Sequence, residues 1–330
     1  MPQLVAPPPA LVQVQSLIGE ALEESARIYD AELASASPYV DDLVQHSRRF
    51  RGKQLRPMLL LLTARAAGGI QPEHPTLAAV VEMIHTATLV HDDVLDEAEL
   101  RRHVVTVNAR WNNSTSVLFG DFLFTHAFHL AASVGTTEAC RQIGRATNIV
   151  CAGELAQIRQ RGNLDLSEEE YMEIIEAKTG ELCAVACRLG AEFAGADQDA
   201  VASLEAYGRK LGVAFQIADD LLDLTGHEHQ AGKSLGSDLD LGKSTLPVIR
   251  LLRRIAPERR ADVRELMSGS GRDTHRELIA MVDETGALDS ARQTAGMIAD
   301  QAIELLDVLP QSTERSLLAD LTRFAVERNA

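Results

Sequence analysis

Along almost the whole chain, the hydrophobic residues recur with the spacing of helices. Apolar positions three and four residues apart predict helices over residues about 11–32, 55–67, 76–98, 113–133, 137–161, 168–190 and 197–224, with several shorter helices from 245 to the end. Segments rich in glycine and polar residues separate them, such as "AAGGIQPEHP" near 70 and "RGNLDLS" near 163. No stretch alternates with the period of two that marks a strand. The pattern therefore predicts an all-α fold.

The same pattern predicts a single domain. No linker rich in glycine, proline or serine divides the chain, and nothing repeats at the period of a solenoid. We interpret residues 1–330 as one all-helical domain, with residues 1–10, which include "APPPA", as a disordered leader. The long polar segment 227–245 is interpreted as a loop that covers a functional site rather than as a domain boundary.

Composition and charge narrow the classes of function. Apolar residues make up 45% of the chain and charged residues 24%, which is typical of a globular protein, while the 4% of aromatic residues favours helices over sheets. The net charge of −16 argues against a nucleic acid partner, because phosphate backbones need a basic surface. Arg65 interrupts the most apolar run, "MLLLLTARAA", so no transmembrane segment is predicted.

The cysteines and the N-terminus indicate a cytoplasmic protein. Cys140, Cys151, Cys183 and Cys187 lack the spacing of a zinc site, and we interpret them as reduced core residues. The first residues lack the basic and apolar regions of a signal peptide. We therefore expect a cytoplasmic location.

Two Asp-Asp-x-x-Asp clusters, each at the end of an apolar run, are the strongest chemical signal. They are Asp92, Asp93 and Asp96 in the first and Asp219, Asp220 and Asp223 in the second. Helical positions i and i+4 lie one turn apart on one face, so each triplet presents clustered carboxylates. Two facing clusters would repel each other unless cations lay between them, and carboxylates suit Mg²⁺ that also carries substrate phosphates. Two solvated helix faces are the alternative, which the preceding apolar residues disfavour.

Basic residues near both clusters have the spacing of a phosphate site. They are Lys53 and Arg56 in "RGKQLRP", Arg101 and Arg102 after the first cluster, Lys178 in "EAKTGEL", and Lys233 and Lys243 after the second cluster. Arginine binds phosphate with two parallel hydrogen bonds, and lysine supplies a point charge. Each base alone could be a solvated surface charge. Together with the acidic clusters they predict a site for two diphosphates, one held through metal and one held directly by bases.

Over residues 45–310 the chain resembles the trans-isoprenyl diphosphate synthases, or polyprenyl synthetases. The resemblance rests on an ordered set of motifs: "GKQLRP" at 52–57, "DDVLDEAELRR" at 92–102, "GDFLF" at 120–124, "GELAQ" at 153–157, "KT" at 178–179, "FQIADDLLD" at 215–223 and "GKSLGSDLDLGKSTLP" at 232–247. It implies the isoprenoid synthase fold, an antiparallel helical bundle around a deep central cavity. It also implies a homodimer.

The resemblance assigns roles residue by residue. Asp92, Asp93, Asp96 and Asp219 would bind Mg²⁺, with Mn²⁺ as a substitute, on the diphosphate of an allylic substrate, and Asp220 and Asp223 would complete the second cluster. The direct contacts to that diphosphate would be Arg101, Lys178 and Lys243, with Lys233 a weaker candidate. The site for isopentenyl diphosphate would contain Lys53, Arg56, His85 and Arg102, and the oxygens of Thr179 and Gln216 would stabilise developing positive charge.

The activity implied is head-to-tail (1′-4) condensation of isopentenyl diphosphate with an allylic diphosphate, giving an all-trans polyprenyl diphosphate for quinone side chains. Alternatives are a short-chain synthase, a terpene cyclase, and a partner subunit of a heteromeric synthase; the second diphosphate site disfavours a cyclase, and the complete aspartate clusters disfavour a partner subunit. A transient membrane contact during product release is left open.

Small residues below the first cluster favour a medium or long product. Ala87 and Thr88 stand where short-chain members of the family carry an aromatic plug, and Ile84 lies a turn deeper. Phe128, about 10 Å along the facing helix "GDFLFTHAFHL", is the candidate pocket floor. An isoprene unit spans roughly one helix turn, about 5 Å, so several additions would fit. Ordinary helix packing is the alternative explanation for Ala87 and Thr88.

Two features depart from these assignments or lie outside them. The chain has His103, Val104 and Val105 where the family usually has Gly-Lys-Pro after the arginine pair, which puts the local turn in doubt. Trp111 and Tyr171 are interpreted as packing or capping residues.

Overall fold

The computed structural model describes residues 9–50, 52–225, 236–268 and 272–327, and nearly all of its regular structure is helical. The helices are α1 Pro9–Glu32, α2 Pro38–Ser47, α3 Leu55–Ala67, α4 His74–Leu95, α5 Val107–Arg110, α6 Asn113–Ala132, α7 Thr137–Arg159, α8 Glu168–Ile175, α9 Glu181–Phe193, α10 Gln198–Thr225, α11 Ser237–Asp240, α12 Leu246–Arg254, α13 Arg260–Ser268, α14 Arg272–Glu284, α15 Ala287–Leu305 and α16 Thr313–Glu327. Short 3₁₀ turns lie at Arg48–Phe50, Pro257–Arg259 and Leu306–Val308. The prediction of an all-α fold is confirmed.

Two clusters of buried side chains form the core, and α10 contributes to both. The first includes Leu59 of α3, Ile84 of α4 and Leu211 of α10; the second includes Ile217 of α10 and Leu251 of α12. Within the bundle, α10 packs against α9 and α15, and α4 packs against α6. A helix shared by both clusters is in keeping with the prediction of one domain.

The apolar run in α3 belongs to the core. Leu59, Leu60, Leu61 and Leu62 have no exposed surface. Within the described ranges, the structure contains no helix that combines the length and hydrophobicity of a membrane span.

One of the cysteine predictions is wrong. Cys183 and Cys187 are buried and Cys140 is half-buried, as expected for core residues, and none of the four forms a disulfide. Cys151, however, is exposed. It lies on α7 near the first aspartate cluster, where partial burial and the charges of Glu154 and Asp92 raise the pKa of its thiol.

The helix predicted over 76–98 ends earlier, at Leu95, in a Schellman motif. Glu97 adopts a left-handed conformation with φ of 50°. The Ala98 N–H donates to the Asp93 carbonyl at 2.9 Å, and the Glu97 N–H donates to the Val94 carbonyl at 3.3 Å. The last residue of the first aspartate cluster, Asp96, therefore caps α4 instead of lying inside it.

A two-stranded hairpin follows, which the sequence pattern did not predict. Strand β1, Leu100–Arg101, pairs with β2, Val104–Val105, in antiparallel register. Arg102 and His103 form the turn, with φ of 52° and 63°. Two consecutive left-handed residues are the mark of a type I′ turn, which glycine, asparagine and aspartate favour. His103 thus occupies a position that is strained for a side chain.

The helix predicted over 168–190 contains a π turn at Glu176–Gly180, between α8 and α9. Such turns widen the helix by one residue and often occur at functional sites. Lys178 and Thr179 lie in this turn.

Candidate active site

The second residue of the first aspartate cluster is a buried carboxylate paired to an arginine. Asp93 is 1% exposed, and its Oδ1 accepts a hydrogen bond from Nε of Arg101 at 2.8 Å. Its Oδ2 is buried and has no hydrogen-bond partner among the described residues. Burial raises the pKa of Asp93 to about 6, against the opposing charge of Arg101. Arg101 is thereby brought to the first cluster, as predicted.

The other two aspartates of this cluster also face cations. Oδ1 of Asp96 lies 2.7 Å from Nη2 of Arg161, and Oδ2 lies 3.1 Å from Nζ of Lys243. Oδ2 of Asp92 lies 3.8 Å from Nζ of Lys178. Lys178 and Lys243, two of the three lysines predicted to hold the allylic diphosphate, are therefore at the first cluster.

Lys178 is held by α7 as well as by the cluster. Its Nζ lies 2.5 Å from Oε1 of Glu154 and donates to Oε1 of Gln157 at 3.0 Å. Burial acts to lower the pKa of Lys178, but the charges of Asp92 and Glu154 outweigh it and the pKa is raised. The ammonium group is thus kept charged in a largely enclosed position.

Close packing explains why glycines flank the π turn that carries Lys178. A Cβ at Gly153 of α7 would lie 2.8 Å from Cβ of Ala177, and one at Gly212 of α10 would lie 2.7 Å from Cα of Gly180. These distances leave no room for a side chain on either neighbouring helix. The glycine of the "GELAQ" motif therefore lets α7 approach the turn.

In the second cluster, Asp220 is built into a buried network of hydrogen bonds. Its Oδ2 accepts from the Tyr171 hydroxyl at 2.6 Å, and its Oδ1 accepts from Nε2 of Gln216 at 2.7 Å. The Thr179 hydroxyl in turn donates to Oε1 of Gln216 at 2.7 Å. Burial, with the charge of Asp238, raises the pKa of Asp220 to about 7. Thr179 and Gln216, predicted to act together, are in direct contact.

The last aspartate of the second cluster anchors the loop that follows α10. Oδ1 of Asp223 accepts from the Ser237 hydroxyl at 2.9 Å, and Oδ2 accepts from the Asp238 N–H at 3.0 Å. This contact holds α11 against the end of α10. Lys233, the weaker candidate for the allylic diphosphate, lies in the earlier part of this loop, outside the described residues.

A second basic group lies beside the hairpin. Nη1 of Arg102 donates to the Phe50 carbonyl, and a Cβ at Gly52 would lie 2.2 Å from that nitrogen. Burial and the positive charges of Arg56 and Arg102 keep the pKa of His85 well below its ordinary value. The structure thus groups Arg56, His85 and Arg102, as the resemblance implied.

Two bases at this second group have features of an anion site. Nε of Arg56 is buried and lacks a hydrogen-bond partner within the described parts of the chain. Lys53 is exposed, and its Nζ lies 4.9 Å from the ring centroid of Phe324 in α16. Burial lowers the pKa of Arg102, an effect that Asp219 opposes, so the first aspartate of the second cluster lies within electrostatic reach of this group.

A cavity of about 60 Å³ lies beside Asp220 of the second cluster and is also lined by Lys178 and Lys243, which face the first cluster. Its polar lining consists of Gln157, Gln160, Tyr171, Lys178, Gln216, Asp220, Asp238, Lys243, Ser244 and Thr245. Across the described ranges, no three acidic, histidine or cysteine side chains are close enough together to hold a metal ion. The donors nevertheless suit Mg²⁺, which proteins commonly bind through one or two carboxylates together with substrate phosphates and water.

The residues predicted to set product length differ in exposure. Ile84 and Ala87 have no exposed surface, whereas Thr88 and Phe128 are half-buried. Phe128 packs near α7, since a Cβ at Gly144 would lie 3.8 Å from its ring. Their role in product length stays a prediction.

Sequence reasoning missed several side chains of the site. Glu154 and Gln157 lie in the "GELAQ" motif, which had no residue assigned, and Arg161 lies in a segment interpreted only as a helix stop. Tyr171, interpreted as a packing or capping residue, instead donates its hydroxyl proton to Asp220. The spacing of Tyr171 and Lys178, two turns apart beside the motif "KT", is the one sequence signal that could have indicated it.

The chain is similar to several known proteins. Residues 37–284 match the family model described as polyprenyl synthetase. The chain is 40% identical over 279 residues to octaprenyl diphosphate synthase of Escherichia coli, covering 84% of this chain and 86% of that protein. It is 38% identical over 297 residues to the all-trans-nonaprenyl-diphosphate synthase (geranyl-diphosphate specific) of Rhodobacter capsulatus, covering 90% of this chain and 91% of that protein.

Solved structures show the same fold. The polyprenyl synthase of Caulobacter crescentus, crystallised with calcium and isoprenyl diphosphate, superposes with a TM-score of 0.93 at 36% identity and covers 97% of this chain and 98% of its own. The predicted resemblance and the predicted fold are both confirmed.

Proposed function

Because the chain belongs to the polyprenyl synthetase family, we propose that it is a head-to-tail trans-prenyltransferase that condenses isopentenyl diphosphate with an allylic diphosphate. Its product is a medium- or long-chain all-trans polyprenyl diphosphate. The observation that carries the proposal is the presence of two separate cationic groups. Lys178 and Lys243 face the first aspartate cluster, whereas Arg56, His85 and Arg102 lie together beside the hairpin.

The allylic diphosphate would be held at the first group. Asp92, Asp93, Asp96 and Asp219 would hold Mg²⁺ with it. Asp220 and Asp223, whose carboxylates accept hydrogen bonds from protein donors, would complete the second cluster and position their neighbours. When bound, the metal supplies positive charge that neutralises the leaving diphosphate. Lys178, Lys243 and Arg101 add fixed positive charge at the same place.

Thr179 and Gln216 would stabilise the allylic carbon as the C1–O bond breaks. Asp220 accepts a hydrogen bond from the amide nitrogen of Gln216. This bond orients the amide oxygen of Gln216 towards the Thr179 hydroxyl. The two oxygens are 2.7 Å apart, and Gln216 lines the cavity, so the negative ends of their dipoles would stabilise a positive charge formed there. The enclosed position of Lys178 and Asp220 also limits the access of water.

Isopentenyl diphosphate would be held by Lys53, Arg56, His85 and Arg102. Its C4 forms the new bond to C1 of the allylic substrate, and a proton leaves C2 to regenerate a double bond. The departing diphosphate accepts that proton, so no side-chain base is required. A terpene cyclase has no use for this second group, which favours elongation.

Chain length is tested by filling the predicted pocket. Ala87→Phe should shorten the product, because an aromatic ring near the first cluster would block the path of the growing chain. Products would be extracted and sized by chromatography. Thr88→Phe is the matched variant on the adjacent, half-buried position of α4. An unchanged distribution of products in both variants would remove the pocket argument and leave helix packing as the explanation.

The activity is tested with the purified protein, Mg²⁺, labelled isopentenyl diphosphate and farnesyl diphosphate. Long polyprenyl diphosphates would support the proposal. Products that stop at geranylgeranyl diphosphate would identify a short-chain synthase. Conversion of the allylic substrate without incorporation of isopentenyl diphosphate would indicate a cyclase, and no conversion would indicate a subunit that needs a partner.

The assembly and location remain parts of this proposal. A homodimer follows from the family, and a cytoplasmic location follows from the sequence. Light scattering of the purified protein would test the first, and cell fractionation the second.

A further inference from the structure

Arg161, which follows the C-terminal end of α7, holds the last aspartate of the first cluster. Its Nη2 lies 2.7 Å from Oδ1 of Asp96, and its Nη1 donates to the carbonyl of Leu95 at 3.2 Å. Its Nε is buried and has no hydrogen-bond partner among the residues described. The two Nη atoms of Arg161 therefore bind the end of α4, while its Nε–H donates to none of the described residues.

Arg161 and Lys243 hold the two oxygens of the same carboxylate. Lys243 lies 3.1 Å from Oδ2 of Asp96 and 3.4 Å from Oδ1 of Asp238. The loops that carry the two cations are joined, since the Gly162 N–H donates to the Gly242 carbonyl at 2.7 Å. Asp96 is thus enclosed by a pair of cations in fixed positions.

In the absence of a diphosphate, this arrangement disfavours metal binding by Asp96. A carboxylate that binds a divalent cation has less negative charge to offer two further cations, and the cations would repel the metal. A diphosphate removes this repulsion because it supplies negative charge both to the metal and to the two protein cations. The planar fork of an arginine matches two oxygens of a phosphate group.

We propose that Arg161 is a binding residue for the allylic diphosphate and that it occupies Asp96 until the metal–diphosphate complex arrives. Arg161 then exchanges the Asp96 oxygen for a phosphate oxygen. This inference rests on the proposed function, because it requires a diphosphate at the first cluster. Without diphosphate, Arg161 competes with the metal for Asp96. With diphosphate present, Arg161 contributes to diphosphate binding.

The opposite signs of these two effects separate the proposal from a structural role. If Arg161 only fastened the α7–α8 connection to the end of α4, its loss would disorder Asp96 and weaken the binding of both metal and diphosphate. If Arg161 competes with the metal, its loss should instead strengthen metal binding and weaken diphosphate binding.

The experiment compares Arg161→Gln with the wild type and with Arg159→Gln. Arg159 is exposed and two residues away, so its variant makes the same change in net charge without contacting Asp96. Titration calorimetry would measure the binding of Mg²⁺ alone, and then of farnesyl diphosphate with saturating Mg²⁺ and no isopentenyl diphosphate. A charged hydrogen bond contributes about 1.5–3 kcal/mol, so Arg161→Gln should weaken farnesyl diphosphate binding by about tenfold or more.

The other expected results are a tighter Mg²⁺ affinity in Arg161→Gln, an unchanged KM for isopentenyl diphosphate, and wild-type behaviour of Arg159→Gln. Arg161→Lys, which keeps the charge but not the fork, should fall between the wild type and Arg161→Gln. The proposal would be overturned if both affinities of Arg161→Gln fell together, if neither changed, or if Arg159→Gln gave the same shifts. Failure of the proposed function is a distinct result, since the folded wild type would then neither bind farnesyl diphosphate nor incorporate isopentenyl diphosphate.

Discussion

At the end of α4 the carboxylates face cations, whereas at the end of α10 two of the three accept hydrogen bonds from uncharged groups. Asp96 lies between Arg161 and Lys243, and its counterpart Asp223 lies between the Ser237 hydroxyl and the Asp238 N–H. The same triplet of residues therefore occupies two different chemical environments.

The difference indicates that the two clusters have different roles. At this half-exposed site, Arg161 and Lys243 can exchange the Asp96 carboxylate for a bound diphosphate, because they then still have an anionic partner. The carboxylate in turn can bind a metal. Hydrogen bonds from Tyr171 and Gln216 to the buried Asp220 would be costly to break, since a buried polar group without a partner loses about 1–3 kcal/mol. The first cluster is thus suited to binding ligands, and much of the second is suited to fixing the geometry of Gln216 and α11.

The largest expected effect comes from changing the third aspartate of each cluster in turn. Asp96→Asn removes a charge from the predicted metal site and should lower kcat/KM for prenyl transfer by on the order of 10²–10³. Asp223→Asn keeps one acceptor oxygen for the loop and should lower it by about tenfold, the cost of roughly one hydrogen bond. Steady-state kinetics with farnesyl diphosphate would measure both.

Circular dichroism would control for folding of the two variants. If Asp223→Asn were as damaging as Asp96→Asn while remaining folded, the proposed division between the clusters would be wrong, and both triplets would have to bind metal equally.

The buried carboxylate of the second cluster predicts a pH dependence of stability. Burial raises the pKa of Asp220 from 3.8 to about 7. Between these values the folded state binds more protons at this residue than the unfolded state does, so the free energy of unfolding should fall as pH rises from about 4 to about 7. Burial raises the pKa of Asp93 as well, which acts in the same direction.

Denaturant unfolding in the presence of a chelator, at a series of pH values, would measure this slope. Asp220→Asn cannot titrate and should flatten it. A slope that Asp220→Asn leaves unchanged would show that Asp220 is ionised in the folded protein at all of these pH values.

The sequence predicted the helices well, because they depend on local spacing, while the roles of the site residues stay predictions. Apolar residues at helical intervals identify α4 and α10, and the motifs identify Lys178, Lys243 and the two aspartate clusters. The partners were not predictable, because they come from distant parts of the chain. Tyr171 and Asp220 are 49 residues apart, and Arg161 and Asp96 are 65 residues apart.

Two local features also escaped the sequence pattern. The π turn at Glu176–Gly180 inserts one extra residue per turn into a continuous helical period, which a pattern of apolar positions does not resolve. The hairpin after the first cluster has strands of two residues each, too short to show alternation. Its turn contains arginine and histidine, which give none of the usual signals for a type I′ turn.

The smallest expected effect tests that turn, which follows the first cluster and contains Arg102 of the second basic group. His103 has φ of 63°, and glycine adopts this conformation without a steric penalty. His103→Gly should therefore raise the free energy of unfolding by about 1 kcal/mol, as measured by denaturant unfolding, without loss of prenyl transfer. Val105→Gly places glycine in the neighbouring strand, outside the left-handed residues, and should destabilise the protein instead. If both substitutions were destabilising, the His103 side chain would stabilise the hairpin by more than its strained backbone costs.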